Sequence, residues 1–303
     1  MSAMFSVILI IITCGFGLNK RLISYLNIIR GFLATIYTVQ TDSNKRISSY
    51  SSSSFTLPLK QAFLIAHING SLWLRRYPAS IIFTALIPFS FLFMVFVIGG
   101  GQYTHLAFAG SLVSAAAGYG LATGNNIITW KVEYKMQDVF VSSPVSSFTY
   151  MAGIALAELL FGFPALAILA TLVVIFSNDI LFSTVMAIVT IVLIWASTST
   201  IGFFISTRST HQRFVESFIA FLRIAVVVLP PVFYPLSIIP IEELRYLAYA
   251  IPTTHASLIL QYSMGVPQAL GDSWSPGIGL IIIIAYIVGF AFLAKTKAVW
   301  REK

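Results

Sequence analysis

Charged residues are scarce in this chain: Asp, Glu, Lys and Arg together make up 9% of its 303 residues. A soluble domain carries roughly 25% charged residues, which keep its surface in contact with water. Hydrophobic residues instead make up 58% of the sequence. The composition therefore excludes a soluble globular protein and predicts a protein that lipid surrounds.

Cysteine is almost absent, with Cys14 the single one. One thiol cannot form a disulfide within the chain and has no second thiol with which to share a metal site. The H-E-x-x-H and G-x-S-x-G signatures of hydrolases do not occur, and the four histidines fall in predicted loops or at predicted membrane interfaces. We therefore expect no catalytic site, no metal and no cofactor bound by this chain.

Long apolar runs dominate the sequence. Five can be read directly and a sixth is interrupted by charge and proline, and each is near the roughly 20 residues that a helix needs to cross a bilayer. They lie at about 78–98, 104–129, 149–176, 180–205, 214–234 and 277–294. We predict an all-α membrane protein with six transmembrane helices.

Basic residues are distributed asymmetrically around these runs. If the six runs alternate across the bilayer, 16 of the 18 lysines and arginines fall on one side. Arg245 is the exception on the other side, and Arg223 lies within the fifth run. Because basic loops stay in the cytoplasm, both ends of the six-helix core are predicted to face the cytoplasm of a multi-pass protein in the cell membrane. The net charge of +8 then reflects anionic headgroups rather than nucleic acid.

Residues 1–56 are predicted to be an N-terminal extension that precedes a membrane domain over 57–303. The apolar run from Met4 to Leu18 is short for a span. It fits a signal-like segment, an extra short span with its N-terminus outside, or a misassigned start codon. Residues 48–54 are serine-rich, as in a flexible linker. The aromatic and basic pattern of 57–77 predicts an amphipathic helix in the membrane interface, with a simple extension of the first span as the alternative.

The predicted cytoplasmic loop after the second span carries an amphipathic pattern. Val132, Met136, Val139 and Phe140 recur at helical spacing and form one apolar face, which charged residues flank. A short helix of this kind serves either as an interfacial spacer or as a docking element for a partner protein.

Prolines crowd the segment after the fifth run. Pro230, Pro231, Pro235 and Pro240 cannot all belong to one regular helix. Non-helical backbone at membrane depth is tolerated only where protein or water satisfies its polar groups. We predict a re-entrant pair of short helices at the outer surface, with an ordinary extracellular loop as the alternative.

Two charged residues fall inside predicted spans. Glu158 and Arg223 each lie about ten residues from the cytoplasmic end of a span, where an unpaired charge costs several kcal/mol. We predict that they pair, directly or through water. The alternative is that Arg223 extends toward Glu216 and that Glu158 finds a serine or threonine.

Small residues predict close helix packing. Gly110, Ser114 and Gly118 follow small-x-x-x-small spacing along the second span, continuing to Thr123 and Asn126. A hydroxyl-rich patch over 197–200 on the fourth span favours the same interpretation.

Three stretches resemble the permease subunits of type-2 ATP-binding-cassette (ABC) transporters. The first is WKVEYKMQDVFVSSPVSSFTY over 130–150, which is similar to that family's cytoplasmic loop with its SP-V/I-S turn. The second is LPPVFYPLSIIP over 229–240, followed by an Ile-Pro-Thr turn at 251–253. The third is LRRYP over 74–78, with Pro88 inside the first span.

The resemblance implies that a separate cytoplasmic ABC ATPase binds the ATP and Mg²⁺, since this chain has no G-x-x-x-x-G-K-[ST] phosphate loop. It also implies a second copy of the permease, or a paralogue, with the substrate path between the two. The residues it assigns to coupling with the ATPase are Val132, Glu133, Lys135, Met136, Asp138, Val139, Phe140 and Pro144. Those of a candidate extracellular gate are Pro230, Pro231, Phe233, Tyr234, Pro235 and Pro240.

The apolar path and the short external loops favour export of a hydrophobic or amphiphilic substrate. Export of polysaccharides or glycoconjugates by the same family is one alternative, and an ATP-independent channel or receptor is another.

Overall fold

The computed structural model describes residues 56–77, 79–99, 103–135, 137, 140, 145–236, 239–266 and 274–297. Across these ranges the chain is helical almost throughout and contains no β-strand. The prediction of an all-α protein is therefore confirmed. The predicted extension up to residue 55 lies outside the described residues, so its boundary stays a prediction.

The helices follow one another with short connections. In chain order they are α1 Thr56–Ala66, a π-helical turn His67–Ser71, α2 Leu72–Arg76, α3 Ser80–Ile98, α4 Thr104–Val132, α5 Ser147–Ile175, α6 Ile180–Arg208, α7 Gln212–Arg223 with a π-helical turn Ile224–Val228, α8 Glu242–Tyr249, α9 Pro252–Ser263 and α10 Pro276–Lys297.

Four helices are long and apolar enough to cross a membrane: α4, α5, α6 and, over Pro276–Thr296, α10. They coincide with the predicted runs at 104–129, 149–176, 180–205 and 277–294, and they indicate a membrane protein. The first run contains a shorter apolar helical stretch, Ala85–Ile98. In the fifth run the α-helix ends at Arg223, and a π-helical turn over Ile224–Val228 precedes the prolines, which begin at Pro230. A count of six spans therefore stays a prediction.

Helix α4 forms the centre of the fold. In its most apolar window 89% of the residues are buried, compared with 33% for α5, 28% for α6 and 17% for α10. It packs against α3, α5, α6, α7 and α9. Because alanine, glycine and serine supply much of its surface, neighbouring backbones can approach it closely.

The closest approach joins α4 to α6 through glycines. A Cβ atom on Gly120 would lie 1.9 Å from Thr198 Oγ1 and 2.6 Å from the Trp195 carbonyl oxygen. A Cβ atom on Gly124 would lie 2.7 Å from the carbonyl oxygen of Gly202 on α6. Only glycine therefore fits at these positions in the present arrangement.

This contact surface differs in part from the predicted one. Gly110 does pack tightly, because an added Cβ would lie 2.6 Å from the Val232 carbonyl oxygen. Gly118, in contrast, has no atom of the described residues within 4 Å of the place of a Cβ. Gly118 and Gly120 lie about 200° apart around the helix axis, so only one of them can face α6. No described residue packs closely at Gly118, so its predicted part in helix packing stays a prediction.

The N-terminal helices pack along α5. Ile65 is buried against Gly153, and Gly70 lies against the backbone of Ala157. Phe63 and Leu64 point away from the protein and are 63% and 58% exposed. An apolar surface of this kind is compatible with a helix in the membrane interface, which stays a prediction.

Two short helices follow the proline-rich segment. The amphipathic α8 is mostly exposed, whereas nearly every residue of α9 is buried. Pro252 begins α9 at the position where a missing N–H costs nothing. The polar side chains of α9 have partners, for example Thr254 Oγ1 with the Ala248 carbonyl (2.6 Å) and Ser257 Oγ with the Val232 carbonyl (3.2 Å).

Replacing Gly120 with alanine should destabilise the protein. The added methyl group forces α4 and α6 apart, and overpacking of this kind costs about 1–3 kcal/mol. Gly118→Ala on the same helix is the matched control. It should be neutral or raise the unfolding free energy by up to about 1 kcal/mol, since alanine favours helix. Thermal unfolding of both variants in a neutral detergent measures the difference. Equal melting temperatures for the two variants would contradict the α4–α6 contact.

Candidate functional site

A cavity of about 310 Å³ lies between α3, α4, α5 and α7. Most of its wall is apolar, and its polar side chains are those of Ser114, Tyr119, Glu158 and Arg223. The lining residues are Ile87, Pro88, Phe91, Ser114, Ala115, Gly118, Tyr119, Ala122, Glu158, Phe161, Arg223, Ile224, Val227 and Val228. A largely apolar pocket with a few convergent polar groups is the usual form of a small-molecule site.

Glu158 and Arg223 both face this cavity. Each lies 11 residues after the start of its helix, α5 and α7 respectively. At the helical rise per residue, both are roughly 16 Å along the helix. On the predicted topology both would lie deep in the membrane, where ionisable residues are rare and usually functional because lipid does not solvate them.

The Glu158 carboxylate is held by α4. Asn126 Nδ2 donates a hydrogen bond to Glu158 Oε1, and Glu158 is only 8% exposed. The sequence had predicted a serine or threonine as the alternative partner and had assigned Asn126 to helix packing. The consecutive asparagines 125 and 126, within an otherwise apolar span, were the signal that pointed to a polar contact.

The Arg223 guanidinium is also held by α4. Its Nη2 donates to the Gly118 carbonyl oxygen at 3.3 Å. Its Nε is buried and has no hydrogen-bond partner within the described part of the chain. The alternative partner Glu216 instead accepts a hydrogen bond from Gln212 at 2.9 Å. Arg223 is therefore turned toward the cavity, and its donors are only partly used.

Glu158 and Arg223 are both part of the cavity wall. The hydrogen bonds described above, however, connect each of them to α4. The predicted pairing of Glu158 with Arg223, directly or through water, stays a prediction. The double-mutant cycle given below tests it.

The candidate gate residues form a non-helical cap. Pro230 and Pro231 are buried, Pro235 is half-buried and Pro240 is exposed. The Phe233 ring stacks on Phe91 of the cavity wall, with centroids 4.9 Å apart. The Tyr234 hydroxyl donates to the Leu229 carbonyl, so the segment closes back on its own start. The contact with Phe91 connects this cap to the cavity, and its role as a gate stays a prediction.

The candidate coupling residues begin at the end of α4. Val132 is 38% exposed, and Glu133 and Lys135 are exposed. Lys135 has a φ of 51°, a left-handed conformation that turns the chain away from the helix axis. Met136, Asp138, Val139 and Pro144 lie outside the described residues.

Phe140 packs within the chain. Its ring lies 6.0 Å from the ring of Trp130 and 5.1 Å from that of Tyr150. The resemblance had assigned Phe140 to an interface with another protein. This aromatic cluster instead connects the loop to the ends of α4 and α5, and a contact of Phe140 with a partner stays a prediction.

Hydrogen bonds that the sequence did not predict connect the end of α4 to α7. Gln212 Nε2 donates to Glu133 Oε1 at 2.8 Å and to Glu216 Oε1. Lys131 Nζ donates to the carbonyl of Ser209, the residue that follows α6, at 3.3 Å. The exposed loop after α4 is thus bonded to the start of the helix that carries Arg223.

No model of a known protein family matches the chain, and no curated protein sequence is significantly similar to it.

Replacing Glu158 should lower the unfolding free energy, and the loss should be larger when the new side chain offers Asn126 no acceptor. Glu158→Ala removes the acceptor, whereas Glu158→Gln keeps an oxygen in its place and should cost less. In a double-mutant cycle with Asn126→Ala we expect a coupling of about 0.5–2 kcal/mol, the range for polar contacts between membrane helices. Thermal unfolding in neutral detergent measures the wild type, Glu158→Gln and the three proteins that carry alanine substitutions.

A second cycle, of Glu158→Ala with Arg223→Ala, tests the charge pair by the same measurement. Stability losses that add without interaction would show that the two charges are not coupled.

Proposed function

We propose that this chain is the membrane permease subunit of an ABC exporter of type 2, with six spans and cytoplasmic ends. It works with a second permease copy or a paralogue, and with a separate ATPase subunit that binds ATP and Mg²⁺. It is not itself an enzyme. Its substrate is a hydrophobic or amphiphilic molecule, such as a drug-like compound, a lipid or a lipid-linked molecule.

The connection between the loop and the cavity carries this proposal. Glu133, in the loop proposed to bind the ATPase, is hydrogen-bonded to Gln212 at the start of α7. Arg223, at the end of the same helix, lines the cavity. A movement of the loop therefore has a direct path to a cavity wall, as coupled transport requires.

The composition of the cavity favours an amphiphilic substrate over a glycan. Its wall is mostly apolar, whereas a polysaccharide path needs many hydrogen-bonding groups for sugar hydroxyls. Polysaccharide or glycoconjugate export by a permease of the same family remains the alternative. An ATP-independent channel or receptor is a further alternative, which would leave the exposed loop without a function.

The proposed orientation can be tested by cysteine labelling in a Cys14→Ser background. Asn178→Cys and Thr210→Cys place thiols beyond opposite ends of α6, at exposed positions. A membrane-impermeant maleimide added to intact cells should label position 178, and position 210 only after permeabilisation, because basic loops stay inside. The opposite labelling pattern would invert the proposed topology.

The proposed partner can be tested by co-purification. When the chain is expressed with its genomic neighbours, an ATPase that carries a phosphate loop should copurify and drive ATP-dependent export. Lys135→Glu should weaken this association about tenfold, the usual size of a charge effect at an interface. Glu242→Lys, a charge reversal at the exposed start of α8, is the matched control and should have no effect. If no such ATPase is found and no transport depends on ATP, the proposal is wrong.

A further inference from the structure

Two opposite charges line one cavity, and a separate contact holds each of them. The Glu158 carboxylate accepts from Asn126, and the Arg223 guanidinium donates to the Gly118 carbonyl. Both contacts are made to α4. The cavity therefore presents one anionic and one cationic group on a mostly apolar wall.

Not every N–H group of the Arg223 guanidinium has a hydrogen-bond acceptor among the described residues. The guanidinium carries five N–H groups, and its buried Nε has no partner among the described residues. A buried donor without an acceptor is unfavourable, because it has lost water and gained nothing in return. An anionic group in the cavity would satisfy the guanidinium, since arginine binds phosphate and carboxylate through two parallel hydrogen bonds.

An anionic ligand alone would leave Glu158 in an unfavourable position. A second negative charge in the same mostly apolar cavity repels the carboxylate, because charges interact more strongly beside an apolar wall than in bulk water. A ligand that also carries a cationic hydrogen-bond donor would pair with Glu158 at the same time. Both charges in the wall are then matched by a ligand with no net charge.

The mouth of the cavity is apolar. Ile87 of α3 and Ile224 and Val228 beside α7 line the cavity and are 48%, 54% and 40% exposed. A polar ligand without a hydrocarbon part would leave these side chains uncovered. An acyl chain that leaves the cavity between α3 and α7 would cover them.

We propose that this cavity binds a single-chain amphiphile with a zwitterionic head. The anionic group of the head binds Arg223, its ammonium group binds Glu158, and its chain lies along Ile87, Ile224 and Val228. That such a molecule is the exported substrate rests on the function proposed above, whereas the binding site itself does not.

Three probes with the same lauroyl chain and glycerol test the proposal. They are lysophosphatidylethanolamine, which is zwitterionic, lysophosphatidic acid, which is anionic, and monolauroylglycerol, which is uncharged. Each is titrated into the purified full-length chain in a neutral detergent, and native mass spectrometry measures the bound fraction. We expect the zwitterionic probe to bind about tenfold more tightly than either of the others, the size of one charge-assisted hydrogen bond.

Two variants test which residue binds which charged group of the zwitterionic head. Glu158→Gln should abolish the preference for the zwitterionic over the anionic probe, because the ammonium loses its partner and the phosphate loses its repulsion. Arg223→Gln should reduce the zwitterionic probe to the affinity of the uncharged one. Arg213→Gln and Glu216→Gln, at exposed positions of α7, are the matched controls and should bind like the wild type. If Arg223→Gln does not fold, Arg223→Lys takes its place in the test. It keeps the positive charge but cannot form two parallel hydrogen bonds, so it should retain only part of the preference for the zwitterionic probe.

Equal binding of the three probes by the wild-type chain would overturn the proposal, and so would an unchanged preference in both variants. The titration uses neither ATP nor a second protein. Failure of probe binding with a copurifying ATPase would therefore remove only the zwitterionic site. Probe binding without any ATPase would remove the proposed export function and leave the site.

Discussion

The close approach of α4 and α6 is the constraint on which the rest of the structure depends. Lipid tails are as apolar as leucine, so membrane helices associate through close packing rather than through exclusion of water. Gly120 and Gly124 allow the two backbones to touch, which places α4 at the centre with 89% of its apolar window buried. A helix in that position is shielded from lipid, so it can carry polar atoms at membrane depth. Asn126 and the Gly118 carbonyl are such atoms, and they hold the two charges of the cavity.

The cavity follows from the same geometry. Gly118 lies on the side of α4 away from the contact with α6, and no described residue occupies the place of its side chain. A charged residue near the centre of a membrane helix costs about 2.5–3.5 kcal/mol on insertion scales. Both Glu158 and Arg223 offset part of this cost by turning toward α4. A residue larger than alanine in place of Gly118 would fill the space in front of the carbonyl that Arg223 reaches, so the absent side chain leaves room for both the cavity and this contact.

The sequence predicted the helices that long apolar runs specify. It missed the contacts that depend on which helices face each other. Helices α4, α5, α6 and α10 were predictable because each has an apolar run as long as the bilayer core is thick. The glycine contact was not. Small residues recur every four positions both at 110, 114 and 118 and at 116, 120 and 124, and spacing alone cannot select the register that faces α6. The partner of Glu158 was missed for the same reason, because a polar residue on another helix becomes a partner only through the tertiary arrangement. The bond between Gln212 and Glu133 joins positions 79 residues apart, and no local pattern indicates it.

Helix α4, which contacts both charged residues, leads directly into the exposed loop that begins at Glu133. A displacement of this loop therefore acts first on α4 and on the helix bonded to the loop. A pull at Glu133 acts on the end of α4 and, through Gln212, on the start of α7. These two helices meet again where Arg223 contacts the Gly118 carbonyl. Immediately beyond Arg223, α7 changes to the π-helical turn Ile224–Val228, and π-helical turns inside helices occur frequently at functional sites. Bending there would move the Arg223 side of the cavity while the proline-rich cap stays fixed to α4 at Gly110 and to α9 at Ser257. On the proposed function, the Arg223 contacts and the cap would then move separately, as alternating access requires.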